Sequence, residues 1–256
     1  MSKKLQTAER CSQNDMSDNV VYQRFLFAYE QAAATVFGKV AEAGCGESYG
    51  IRLVLPKVDF YVAMDKYPTH IAHEQTEKLF FKQMNFPNFG GIPTNFFDFV
   101  ICFQVVEHIR EDNLFIERIA ALLKKGGKLL LTTPQASMSL TRNPFHVREY
   151  EYSQLETLMK PHFKDVAIKG IFGKQAVMEY YEANKASVAH FRKFDVFDLE
   201  HHLPASLLKI PYNYLNRRNR RKLLKQNNQT LTMNTGEFYL DSFASAALDF
   251  FVIAEK

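Results

Sequence analysis

The sequence predicts an α/β fold: a seven-stranded, mostly parallel sheet with helices on both faces and a helical insertion before the last strand. Three observations predict it. The apolar run 39–43 stops at glycine, and a helical pattern follows from about Gly50. Further short apolar runs recur at 60–64, 97–103 and 128–133, with the length and composition of strands buried on both faces. A long stretch, 174–245, then delays a last apolar run at 247–254. A strand that breaks into glycines before a helix is the opening turn of a nucleotide-binding α/β sheet, where a Cβ would keep a ligand off the backbone. Glu42 ends that strand, and its charge favours a ligand with a cationic head over a pyrophosphate.

The elements follow in order. Residues 1–18 are polar, carry charges of both signs and are expected to be loose. A helix is expected over 20–37, with Phe25, Tyr29, Ala32, Ala33 and Val36 at helical spacing. The second strand, 60–64, ends in Asp65, and a third covers 79–85. Residues 97–103 read as a buried parallel strand. A helix over 116–123 is expected to stop at Lys124-Lys125-Gly126-Gly127, because cations in a last turn and a glycine beyond it end helices. The fifth strand, 128–133, ends at Pro134; a helix starts near Ser153, and a sixth strand spans 163–171. The expected organisation is a loose N-terminus (1–18), a core (19–173 and 246–256) and a mainly helical insertion or lid (174–245).

Bulk composition narrows the class. At 256 residues the chain suits one α/β domain with an insertion. With 23 Phe and no Trp, the core should be rich in phenylalanine. A net charge of +4 is too small to argue for nucleic acid by itself. Cys11, Cys45 and Cys102 do not have metal-ligand spacing, and an odd count argues against a disulfide framework. They read as small apolar residues of a reducing compartment. No stretch suits a signal peptide or a bilayer span, so a cytoplasmic protein is expected, with contact to the inner face of a membrane as an added option.

The segment Glu42-Ala43-Gly44-Cys45-Gly46-Glu47-Ser48-Tyr49-Gly50 resembles motif I of the class I S-adenosylmethionine-dependent methyltransferases, which have a Rossmann-like fold. Further matches come in the family's order: Asp65 after the second strand, 97–109 as the fourth strand and its loop, and 123–134 as the approach to the fifth. The resemblance covers roughly residues 20 to 170 and implies S-adenosyl-L-methionine as cofactor. It implies that Glu42 binds the methionine ammonium, directly or through water, that Gly44, Cys45 and Gly46 let the backbone approach, and that Asp65 holds the ribose hydroxyls. Asp65 could equally cap a helix starting at Pro68-Thr69-His70. Arg24, in Arg24-Phe25-Leu26-Phe27-Ala28, resembles a segment that precedes motif I in one branch; it either pairs with the methionine carboxylate or faces solvent. The acid that many relatives carry after the third strand is missing; Asn85 is expected to meet the adenine amino group and Met84 to pack on the ring. Asp98 is expected to be structural. Residues 104–108 are expected to line the methyl-transfer centre, and Phe103 and Gln104 are expected among the cofactor-binding residues.

Methyl transfer from a sulfonium is an in-line displacement, so the protein mainly aligns the nucleophile and excludes water. A base is needed only for a protonated acceptor. His146 and His108 are the two candidates for it, with loop geometry as the alternative role for Glu107-His108. Asn143-Pro144-Phe145-His146-Val147-Arg148-Glu149-Tyr150 resembles an acceptor-side segment of the same branch, which ranks His146, Arg148 and Glu149 as acceptor-side residues; a rigid connection is the other reading. No metal is implied. The sequence after the fourth strand, Gln104-Val105-Val106-Glu107, lacks the signature of enzymes that methylate nucleobase amines. The expected acceptor is therefore the O or N of a small molecule, lipid or glycan-linked intermediate, with nucleic acid disfavoured. The basic run from Arg217 to Lys225 follows an apolar stretch and could form a solvated lid, touch an anionic membrane or hold a phosphate-bearing acceptor. Alternative readings are a non-catalytic S-adenosylmethionine-binding module, suggested by Ser48 in a glycine position, an RNA methyltransferase using the basic run, and a dinucleotide oxidoreductase. Tyr49 in the third glycine position and Glu42 oppose the last. The oligomeric state is left open.

Overall fold

The computed structural model describes residues 11, 15–192, 202–227 and 229–256. The chain divides into two compact units. A sheet unit comprises Leu26–Met138, Val147–Phe172 and Leu240–Lys256. A helical unit comprises the described residues up to Phe25, then Ser139–His146 and Gly173–Tyr239. The stretch read as an insertion, 174–245, overlaps the last of these segments, and two earlier pieces of chain belong to the same unit.

The strands are β1 (Lys39–Ala43), β2 (Phe60–Asp65), β3 (Leu79–Gln83), β4 (Phe97–Phe103), β5 (Leu123–Pro134), β6 (Asp165–Gly173), β7 (Phe238–Ser242) and β8 (Asp249–Glu255). They lie in the order β3-β2-β1-β4-β5-β8-β6-β7. The first five are parallel, and β8 runs antiparallel between β5 and β6. Successive residues of a strand face opposite sides. Ala41, Ala43, Val62, Met64, Val100, Cys102, Leu129 and Leu131 therefore share one core cluster. Helices α3 (Asp112–Leu122) and α4 (Tyr152–Met159) in the numbering below close it with Phe115, Ile116, Ile119, Leu155 and Met159. Burying each such large side chain contributes about 1.5–3 kcal/mol. Phe97, Phe115, Phe250 and Phe251 are among the largest fully buried residues, so the core is phenylalanine-rich as composition implied. The opposite side carries Glu42, Tyr61 and Phe103 and meets Tyr29 of α1 (Asn19–Ala33). The short helix α2 (Ile51–Val54) follows the glycine turn.

Three expectations shift. The sheet has an eighth strand, β7, inside the stretch read as helical; only Phe238 of its five residues is buried, so no apolar alternation marks it. Strand β5 begins at Leu123, directly after α3, rather than at Lys128. Its register slips between Phe97/Leu123 and Phe99/Lys128, so Lys124–Gly127 form an irregular bulge instead of a helix stop. Asp98 anchors that bulge: it accepts the Lys39 amide at 2.8 Å and pairs with Lys124. The α1 helix ends at Ala33, not near Phe37, whose ring is exposed.

In the helical unit, α5 (Gln175–Arg192) and α6 (Ala205–Gln226) are joined by a buried polar clamp. Ser187 donates to Asn219 at 2.7 Å, and Asn219 donates to Asn184 at 2.6 Å. Residues 15–18, expected to be loose, are ordered: Met16–Asp18 form a 3-10 turn capped by Asp15. Asp18 is fully buried and pairs with Arg220 at 2.7 Å, and Asp15 pairs with Arg217 at 3.1 Å. A short helical turn, α7 (Gln229–Thr232), completes the unit. Among the described residues, no helix is long and apolar enough to cross a membrane.

Candidate functional site

Strand order reverses at β1, which lies between β2 and β4. Open α/β sheets bind ligands outside the carboxyl ends of strands at such a reversal. Ala43, Asp65 and Phe103 end the three strands there. The chain leaves β1 with the Gly44 and Cys45 amides both donating to the Met64 carbonyl, at 2.8 and 3.0 Å.

The two glycines of the turn have different jobs. Both adopt left-handed backbone, with φ +86° at Gly44 and +54° at Gly46. A Cβ on Gly44 would lie 2.3 Å from a Val105 methyl, so that glycine serves packing. A Cβ on Gly46 would meet nothing within 4 Å, so Gly46 presents open backbone to an incoming ligand. Ser48 also takes left-handed backbone (φ 64°), the conformation a glycine would supply, and its hydroxyl bonds Thr69 at 3.1 Å. The turn shape is kept despite the substitution. Cys45 is buried beside Ser48, and burial pushes its thiol well up, so it is an inert filler.

Asp65 ties the turn together. One carboxylate oxygen accepts the Gly46 amide at 3.0 Å, and the other accepts the Tyr67 amide at 2.8 Å. The 3-10 helix His70–His73 has Thr69 as its N-cap, so Asp65 ties the two strand ends beside Gly46 rather than capping that helix. Glu42 is enclosed by its own partners. It has no exposed surface, and its two oxygens accept hydroxyls from Tyr29 and from Tyr61 (2.7 Å). A direct ammonium contact is not what this geometry offers; the carboxyl sits behind the turn. Burial raises its pKa to about 7, against the two phenol bonds that lower it, with the Asp65 charge adding to the rise. Burial and Glu42 in turn push both phenols up.

Gln104, just past β4, holds left-handed backbone (φ 56°), an uncommon state for a side-chain-bearing residue. Its amide donates to the Thr132 carbonyl at 2.9 Å and its side chain to the Thr132 hydroxyl at 3.3 Å. This places Gln104 at the mouth of the reversal. Phe103 is instead buried, 5.0 Å from the Tyr29 ring and 6.0 Å from Phe251, and serves the wall. Met84 is half-buried against the core with its amide on the Asp65 carbonyl (2.9 Å), while Asn85 is exposed beside it.

The expected acceptor-side residues are divided. In the sheet unit, Glu107 is buried; its carboxylate accepts the Thr133 hydroxyl at 3.1 Å and its carbonyl accepts the Val147 amide at 2.7 Å. The Glu107-His108 pair thus holds loop geometry through Glu107, with His108 half-buried in the following turn. Arg148 pairs with Asp112 at 2.9 Å, and Asp112 also accepts the Tyr150 hydroxyl at 2.8 Å, so Arg148 is a structural tie. Glu149 is half-buried. Arg24, Asn143 and His146 belong to the helical unit. There the Arg24 guanidinium lies 5.5 Å from the Phe25 ring centre. Asn143 caps its own loop: its side chain accepts the Phe145 amide at 3.0 Å and meets the His146 Nε2 at 2.9 Å. The rigid-connection reading of this segment is what those bonds describe.

The model of the methyltransferase-domain family matches residues 14–202. The chain belongs to the methyltransferase domain family. A Mycobacterium tuberculosis H37Rv protein named "Probable S-adenosylmethionine-dependent methyltransferase Rv3030" is 31% identical over 175 residues, covering 65% of this chain and 64% of the relative. A Mycolicibacterium smegmatis protein named likewise is 29% identical over 162 residues, covering 60% of this chain and 63% of the relative. The match thus spans just under two thirds of those relatives' lengths. Among solved structures, a methyltransferase of Thermotoga maritima superposes with TM-score 0.53 at 15% identity, covering 92% of this chain and 91% of its own. The cyclase SpnF superposes with TM-score 0.53 at 15% identity, covering 96% and 89%. That a cyclase shares this methyltransferase fold shows why the reaction must be argued from the site.

The methyltransferase turn fits S-adenosyl-L-methionine: open backbone at Gly46, an aspartate beside it and a strained Gln104 facing the same reversal. Sequence reasoning missed Tyr29 and Tyr61, the two residues that hold Glu42. Tyr29 was noticed only as a core position, yet its ring lies so close to Gly50 that a Cβ there would meet it at 2.2 Å.

Proposed function

We propose that this protein is an S-adenosylmethionine-dependent methyltransferase acting on the O or N of a small-molecule, lipid or glycan-linked acceptor. The observation that carries the cofactor half is the open left-handed backbone of Gly46, locked by Asp65 at the point where strand order reverses. When bound there, the cofactor supplies an already activated methyl group. The residues have four jobs. Asp65, beside Gly46, meets the ribose hydroxyls while fixing the turn. Met84 and Asn85 flank the adenine side. Gln104 orients the reacting end, its backbone preset by Thr132. The Tyr29–Glu42–Tyr61 cluster makes the floor of the turn rigid, since each buried polar atom that stays bonded avoids a cost of about 1–3 kcal/mol. No side chain is committed as a base. An acceptor that is already anionic needs none, and the acceptor class is supported by the absence of the nucleobase-amine signature after β4 rather than by a shaped pocket.

Calorimetric titration with S-adenosylhomocysteine tests the cofactor half. Micromolar binding is expected, weakened in Asp65→Asn by roughly 1.5–3 kcal/mol, the worth of a hydrogen bond to a charged group. Heat signals identical for wild type and variant, or none with wild type, would contradict the assignment. Transfer of labelled methyl to lipid and glycan-precursor extracts then tests the acceptor class.

A further inference from the structure

The α6 helix has 22 residues, seven of them Lys or Arg and none Asp or Glu. Arg217 and Arg220 turn toward Asp15 and Asp18, Lys209 lies 5.3 Å from the Phe145 ring centre, and Arg221 reaches Asp15 only at 3.9 Å from an exposed position. Arg218, Arg221, Lys222 and Lys225 are exposed. The N-terminal half of the helix exposes large apolar residues instead: Leu207 is 62% exposed, Ile210 79% and Tyr214 65%. These are not scattered. Leu207, Ile210, Tyr214, Arg218, Arg221 and Lys225 follow at steps of three and four, which puts them on one face of an α-helix. The other side is the packed one, with Asn219 and Leu223 buried. At 1.5 Å per residue the helix is about 33 Å long. It therefore presents one continuous stripe, apolar in its first half and cationic in its second. Arg218, Arg221, Lys222 and Lys225 also line, with Tyr214 and Arg217, a recess of about 580 Å³ along the cationic half.

We propose that this face of α6 docks on an anionic lipid bilayer surface. Leu207, Ile210 and Tyr214 enter the interfacial region while the four exposed cations meet lipid phosphates. Charge complementarity selects this occupant. An apolar protein groove would accept the apolar half but not the cationic one, and a nucleic acid would accept the cations but leave three exposed apolar side chains in water. Clusters of four or more basic residues on an amphipathic helix have the chemistry of anionic-lipid recognition, at about fivefold in affinity per cation. The proposal does not rest on the methyl-transfer reading, since the face belongs to the helical unit and needs no cofactor.

The test uses the full chain with phosphatidylglycerol/phosphatidylcholine vesicles against pure phosphatidylcholine vesicles, by co-sedimentation at low and high salt. Because the chain has no tryptophan, Tyr214→Trp gives a single reporter on the face. Sedimentation with anionic vesicles only is expected, lost at high salt, with a blue shift of the Tyr214→Trp emission. Arg218→Ala/Lys225→Ala should cut partitioning roughly 25-fold by the same per-cation factor. Ile210→Asp should reduce it while leaving the melting temperature unchanged, since it is exposed. Absence of binding at low salt would overturn the proposal, as would binding that ignores these variants or leaves the emission unmoved. Capture by single-stranded RNA, or by millimolar inorganic phosphate through the same cations in place of vesicles, would overturn it too.

Discussion

The turn after β1 and the outer face of α6 handle polar groups in opposite ways. At the turn nearly every side chain is consumed locally: Glu42 by two tyrosines, Asp65 by two backbone amides, Ser48 by Thr69, Gln104 by Thr132. What remains for a ligand is mainly backbone, at Gly46, and that backbone is held in one shape. On α6 the inward cations are consumed by Asp15 and Asp18, and the outward ones stay exposed beside apolar neighbours, Arg221 reaching Asp15 only at 3.9 Å. The difference teaches what each surface can recognise. A preorganised turn selects one small ligand by geometry, because its donors are fixed before binding. A stripe of long cations on a helix selects a class of surface by charge, because nothing fixes the partner's position.

The sharpest way to break the contrast is inside the helical unit. Arg220→Ala removes the guanidinium that pairs with buried Asp18, and losing one member of a buried pair costs about 3–5 kcal/mol. Urea unfolding should show it as the largest loss of the set, while Arg218→Ala on the outer face should stay within about 0.5 kcal/mol of wild type. Equal effects would mean the inward and outward cations are not distinct.

Glu42 sharpens the other side of the comparison. Its carboxyl titrates at about 7 in the folded protein against an ordinary 4.5, so the folded state holds a proton that the unfolded state has lost between those values. That contribution to stability is present below pH 4.5, declines as pH rises, and is gone above 7, by up to about 3 kcal/mol. Glu42→Gln does not titrate. Its stability relative to wild type should therefore climb between pH 5 and pH 8, read by urea midpoints at the two values. Parallel stabilities at both would place Glu42 in a less costly site than this one.

The two glycines of the turn give smaller stability effects than Arg220→Ala and the cleanest split. Gly44→Ala drives a Cβ into Val105 and should cost about 2–3 kcal/mol of stability. Gly46→Ala has room and should cost about 1 kcal/mol for its left-handed backbone, yet should weaken S-adenosylhomocysteine more than Gly44→Ala does once both are folded. Thermal melts with and without the ligand separate the two.

Much of the frame was legible. Strands β1 and β4 match their expected limits residue for residue, because parallel strands buried on both faces are near-continuous apolar runs with clear edges. The start of β5 was not legible, since Leu123 follows α3 without a break and the following lysines and glycines mimic a helix end. The chain's own partners were harder still. Tyr29 and Tyr61 lie 13 and 19 residues from Glu42, and Arg220 lies 202 residues from Asp18. No local pattern encodes such pairs; only the sheet order and the packing of α6 bring them together. The family motif singled out Glu42 and Asp65, and their bonding differs: Glu42 is held by two tyrosines, while Asp65 accepts the Gly46 amide.

Hydrogen exchange read by mass spectrometry, with and without S-adenosylhomocysteine, tests the central claim most directly. The account predicts added protection in the peptides carrying Gly44–Ser48, Asp65–Tyr67 and Phe103–Val105, the three strand ends at the reversal of sheet order. Protection confined to other peptides, or none at saturating ligand, would contradict it.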